Sequence, residues 1–110
     1  MKINLQSEID TSIFKEQTIY AATELIEVVS VAFQQFPQTI RQIDVAGEQS
    51  IYVQWGKVSV AITDDTIVIM YFENEDIFVP KMDSFSTENE VDACVARLKE
   101  VMTLTCECKC

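Results

Sequence analysis

Cys106, Cys108 and Cys110 alternate along the last five residues of the chain, within the segment TCECKC. In an extended backbone all three sulfurs share one side. Three soft thiolates so placed suit Cu(I), Zn²⁺ or Cd²⁺. Tetrahedral zinc requires a fourth ligand, which a second chain would have to bring. The same spacing admits a Cys106–Cys110 disulfide, a cross-link between chains, docking against a partner, or a frayed tail with no role. Glu107 raises neighbouring thiol pKa values and Lys109 lowers them, so no activated thiolate follows. The fourth cysteine, Cys94, falls on the apolar face of a predicted helix. Cysteines gathered in this way are not a disulfide framework; they suit a reducing compartment with free thiols.

Other chemistry is sparse. The chain has no histidine, hence neither the commonest general base nor the commonest zinc ligand. Its two glycines, Gly47 and Gly56, are too few and too far apart for a phosphate-cradling loop. Asp64 and Asp65 are adjacent carboxylates in a predicted hairpin turn, where aspartate is an ordinary turn residue. Glu73, Glu75 and Asp76 lack the spacing and the glycine of a calcium loop. No catalytic constellation forms from these residues, so no enzyme and no cofactor are expected.

The charge is more informative. A net charge of −10 is concentrated between Asp64 and Asp92, which hold nine acids and only Lys81 as a base. Such a surface repels phosphate, so direct nucleic-acid binding is not expected. It attracts basic surfaces, including those that hold nucleic acid in other proteins. The acids expected to meet a basic partner are Asp64, Asp65, Glu73, Glu75, Asp76, Glu88 and Glu90, with Tyr20 and Tyr71 as exposed anchors. Glu88, Glu90 and Asp92 also have a structural reason for their position, because negative charge suits the first turn of a helix.

The elements that position these residues follow from periodicity. At 110 residues with 48% apolar content the chain suits one domain with its own core, taken as residues 1–104 with a Cys-rich tail at 105–110. Lys2 to Leu5 is a short candidate edge strand. Asp10, Thr11 and Ser12 are candidate N-caps for a helix reaching Phe36 and stopped by Pro37. Its apolar side gathers Phe14, Ile19, Ala22, Leu25, Ile26, Val29, Ala32, Phe33 and Phe36. Tyr20 and Val31 project from the polar side, either as scattered surface apolar residues, as part of a wide stripe touching a second layer, or as a helical contact face for a partner.

Strands are expected at Ile40–Val45, Ser50–Trp55, Val58–Thr63, Thr66–Phe72 and Ile77–Val79. Turns at Ala46-Gly47-Glu48 and Thr63-Asp64-Asp65 and a tight connection at Gly56-Lys57 separate the first four. TIVIMYF (66–72) is apolar on both sides, which marks a central strand or one exposed for pairing. The final helix carries Val91, Cys94, Val95, Leu98, Val101 and Met102 on one face, with Ser86 or Thr87 as its cap and Thr87-x-x-Glu90 as its capping box.

The expected architecture is α+β: an antiparallel meander of about four or five strands with an N-terminal and a C-terminal helix packed on it. Helices on a single face would leave Tyr52, Gln54, Ser59, Ala61 and Thr63 on an open, partly apolar face. The start, MKINLQSEID, has no apolar stretch of a signal peptide. No run of apolar residues is long enough for a membrane span. The cytoplasm is therefore the expected location.

The function expected from these features is non-enzymatic: binding and inhibition of a larger, basic, nucleic-acid-handling protein. An immunity protein, an antitoxin or a phage-encoded inhibitor of host defence works in that way. Two alternatives remain: a thiol or metal protein acting through Cys106, Cys108 and Cys110, and a homo-oligomeric accessory subunit using strand 66–72 or the open sheet face.

Overall fold

Period-two alternation builds the centre of the molecule. In the computed structural model, which describes residues 9–72 and 80–105, five strands form one antiparallel sheet in the order β1-β2-β3-β4-β5. They are β1 (Thr39–Val45), β2 (Glu48–Trp55), β3 (Val58–Ile62), β4 (Thr66–Tyr71) and β5 (Lys81–Ser86). Ile51, Val53 and Trp55, then Val58, Val60 and Ile62, then Ile67, Ile69 and Tyr71 all turn to one face and are buried. Two helices, α1 (Glu16–Phe33) and α2 (Val91–Thr105), contribute Leu25, Ile26, Val29, Cys94, Leu98 and Val101 to the same core. The expected α+β meander with two helices is therefore the observed fold.

The hairpin turns follow from their residues. Val45 pairs with Glu48 across Ala46 and Gly47, both at positive φ. That is the backbone a tight two-residue hairpin needs, and glycine supplies half of it without strain. Trp55 pairs with Val58 across Gly56, also at positive φ, and Lys57. In the third turn Thr63 Oγ1 accepts from the amides of Asp65 and Thr66.

The helix expected from Asp10 to Phe36 is interrupted. Asp10 caps only a 3₁₀ turn, Thr11–Ile13, through its bond to the Ser12 amide. The chain then extends at Phe14, which drops into the core, and α1 begins at Glu16. At the other end Gln34 adopts the left-handed conformation and closes the helix. Phe36 lies beyond that break and is 49% exposed, so it leaves the apolar stripe to which its spacing assigned it.

β5 replaces what reads as a connection. Lys81–Ser86 alternates weakly and is polar, yet it pairs with all of β4. Lys2–Leu5 and Ile77–Val79 lie outside the described residues. No helix among the described residues is long and apolar enough to cross a membrane.

Among the described residues one core donor is unsatisfied. Trp55 is 2% exposed and its Nε1 has no acceptor among the described residues. An orphaned buried donor costs about 1–3 kcal/mol. Trp55→Phe removes that cost along with the ring volume, so its unfolding free energy is expected to stay within about 1 kcal/mol of the parent. Trp55→Ala should lose about 3–5 kcal/mol. Urea unfolding of the two variants distinguishes packing from the orphaned donor.

Candidate functional site: an acidic end and an outward helix ridge

The register places several acidic turns at one end of the sheet. Ile51, Ile62, Ile67 and Phe85 stand side by side across β2 to β5. Beyond that row lie the β1–β2 turn with Asp44 and Glu48, the β3–β4 turn with Asp64 and Asp65, and the β5–α2 junction with Glu88 and Glu90. The start of α1, with Lys15 and Glu16, joins them through direct bonds to the β3–β4 turn.

Thr87 ties these pieces together. It is fully buried; its amide donates to the Asp65 carbonyl at 3.1 Å and its hydroxyl to the Thr63 carbonyl at 2.9 Å. Its own carbonyl accepts from Gln17 Nε2 of α1. The reciprocal cap ahead of α2 belongs to Ser86 instead. Ser86 Oγ accepts from the Asn89 amide, and Glu90 Oε1 accepts from the Ser86 amide. This corrects the Thr87-x-x-Glu90 assignment: Thr87 is committed to the β3–β4 turn.

The sequence-predicted contact acids separate into two kinds. Asp64 and Glu90 each spend one carboxylate oxygen inside the molecule. Asp64 Oδ1 accepts from Thr18 Oγ1 at 2.6 Å and from the Lys15 amide at 3.0 Å. The Thr18 bond first, then the Lys15 amide and charge, hold the Asp64 carboxyl below its usual range, against the opposing pull of burial. Asp65 and Glu88 are exposed, and their carboxylates make no hydrogen bond to any described residue. Glu73, Glu75 and Asp76 lie outside the described residues, as do Cys106, Cys108 and Cys110.

The two tyrosines also diverge. Tyr20 is 49% exposed on α1. Tyr71, expected at the surface, is 2% exposed. Its position places it on the inward face of β4, and its hydroxyl accepts from Arg97 Nη2 at 2.7 Å. It is a core residue with a polar tip, and the double-sided apolarity of TIVIMYF concealed which side it takes.

Tyr20 and Val31, singled out in the sequence on the polar side of the first helix, lie on one ridge of α1. Tyr20, Glu24, Glu27 and Val31 recur at i, i+4, i+7 and i+11, and so follow one line along the outside of the helix. Val31 is 80% exposed, and neither carboxylate on the ridge bonds a described residue. The signal was present in the spacing of the two apolar exceptions, which bracket two acids. Glu16, one turn before Tyr20, carries the line to the acidic end.

Cys94 is buried, and burial together with the nearby Asp83 pushes its thiol up to about 12, so it stays protonated and inert. A shallow groove of about 540 Å³ beside α2 is lined by Arg97, Lys99, Glu100, Thr103 and Leu104, with no nucleophile and base in contact. Among the described residues no three His, Cys, Asp or Glu side chains converge as metal ligands. No protein-family model, no curated protein and no solved structure matches the chain.

Proposed function

We propose that this protein is a small, acidic, non-enzymatic binder that occludes a larger basic partner whose surface handles nucleic acid. An immunity protein, an antitoxin or a phage-encoded inhibitor of host defence acts on such a target. The observation that carries the reading is the convergence of Glu16, Asp65 and Glu88 at one end of a chain of net charge −10, continuous with the Tyr20–Val31 ridge. Free carboxylates steer and pair with Lys and Arg, while a half-exposed tyrosine supplies the apolar anchor. Asp64 and Glu90 shape the surface but, being used internally, contribute less to the contact.

The test is a native pull-down from the source cell or its infected host. The full chain runs beside a 1–104 truncation, at about 50 mM and about 500 mM salt. Capture of a basic protein by both, with affinity at least about tenfold weaker at high salt, is the expected result. Tyr20→Ala and the pair Asp65→Lys, Glu88→Lys should each reduce capture without altering the thermal melt. A complex indifferent to salt overturns the reading. Capture that requires residues 105–110 transfers the function to Cys106, Cys108 and Cys110.

A further inference from the structure

The two helices cover one face of the sheet; on the other, Ser50 is buried while Tyr52, Gln54, Ser59, Ala61, Val68, Met70 and Met82 stay at least partly exposed. Tyr52 stands opposite Ala61, and Ala61 opposite Val68, across three strands. In the next row Met70 stands opposite Met82, which is 59% exposed. Ile43 lies on the same face of β1 opposite Ser50, while Arg41 and Ser84 end the Tyr52 row, so the apolar patch centres on β2 to β5. The strand residues of this face bring it only two charges, Arg41 and Glu48, one of each sign.

That near-neutrality selects the occupant. A basic partner recognised by charge finds only Glu48 here, offset by Arg41; its other counter-charges lie at the acidic end and along α1. An identical face is apolar where this one is apolar and brings one Glu48 and one Arg41 of its own. We propose that this face is a self-association surface on which a second copy of the chain packs sheet to sheet. Strands about 4.8 Å apart and rising about 3.3 Å per residue give a face of about 20 by 20 Å. Its projection, about 400 Å², is below the roughly 800 Å² per partner of a standard interface, so the dimer is weak and reversible. Two chains of charge −10 repel each other, and salt screens that repulsion. Self-association therefore strengthens with salt, opposite in sign to capture of a basic partner, and the two readings fail separately.

The test is sedimentation equilibrium of the full chain under reducing conditions, at about 50 mM and about 500 mM salt. Methyl NMR of Met70 and Met82 is followed across the same concentrations. A monomer–dimer equilibrium at least about threefold tighter at high salt is expected. The Met70 and Met82 methyl signals should shift as the dimer fills. Val68→Lys should be monomeric; should it fail to fold, Met82→Lys on the exposed edge strand reports the same contact. A monomer throughout, association that weakens with salt, or a dimer that survives both substitutions overturns the proposal. So does a basic partner that moves the methionine signals when a second copy does not.

Discussion

Replacing Asp64 with alanine is expected to lower the unfolding free energy by about 2–3 kcal/mol, which is roughly 10 °C in the melting midpoint. The first turn of a helix leaves its amides without intrahelical partners. Lys15 occupies the N-cap of α1 and offers no side-chain acceptor. Asp64 fills that role from the β3–β4 turn, 49 positions away, by accepting from the Lys15 amide and from Thr18 Oγ1. Losing a cap costs about 0.5–2 kcal/mol. Thr18 is fully buried, and stripping its hydroxyl of a partner adds about 1–3 kcal/mol.

The pH dependence carries the same information. The folded carboxyl of Asp64 lies below its ordinary value of 3.8, chiefly through the Thr18 bond. Its contribution is therefore complete above that unfolded value and is lost as pH falls through the folded one. Asp64→Asn keeps an acceptor oxygen and should recover part of the stability at neutral pH. Its unfolding free energy should also fall less steeply than the parent's over the acid range. Urea unfolding at neutral pH and at a series of acid pH values separates the three proteins. An Asp64→Ala variant indistinguishable from the parent at neutral pH would show that the cap holds nothing.

That cap shows where sequence reading succeeds and where it stops. The apolar face of α2 was legible because Val91, Cys94, Leu98, Val101 and Met102 satisfy one period, and all five are buried. β2, β3 and β4 were legible for the same reason at period two. The interruption before Glu16 was not, because the residue that caps α1 is distant in the chain and close only in the fold. β5 was illegible because an edge strand needs hydrogen bonds on one side and little apolar surface; KMDSFS pairs with β4 while looking like a loop. Tyr71 and Thr87 were misread for a related reason. Tyr71 reads as a surface anchor and Thr87 as a helix cap, yet each satisfies its polar atom elsewhere inside the molecule, through Arg97 or Thr63. The charge excess was visible at once. Which carboxylates remain free for a partner depended on which ones the turns and caps had already taken.

Arg97→Met is expected to cost about 2 kcal/mol and to loosen β5 from the sheet. A solvent-exposed ion pair would cost no more than about 1 kcal/mol, so the size of the loss is diagnostic. Arg97 Nε donates to Asp83 Oδ2 at 2.9 Å, Nη2 to the Tyr71 hydroxyl at 2.7 Å and Nη1 to Glu100 Oε1 at 3.0 Å. Its guanidinium also lies 5.7 Å from the centre of the Tyr71 ring. The Arg97 and Asp83 side chains are each about two-thirds buried, at 31% and 33% exposure, so their bond is only partly screened. One side chain thus fastens α2 to the last two strands of the sheet. Without it, Asp83 is left on the inner face of β5 with an unpaired charge near the Cys94 thiol. The loss should be relieved by removing that charge as well. Arg97→Met with Asp83→Val should recover more than about half of the single-variant cost, a coupling of at least about 1 kcal/mol. The consequence extends to solubility, because among the described residues β5 is the strand that pairs with the outer edge of β4. TIVIMY is rich in β-branched residues and uncharged, and an uncovered edge of that kind templates pairing with other chains. Arg97→Met should therefore aggregate faster than the parent at equal concentration, and the double variant should not. Equal aggregation of single and double variants would show that β5 stays in place without the clamp.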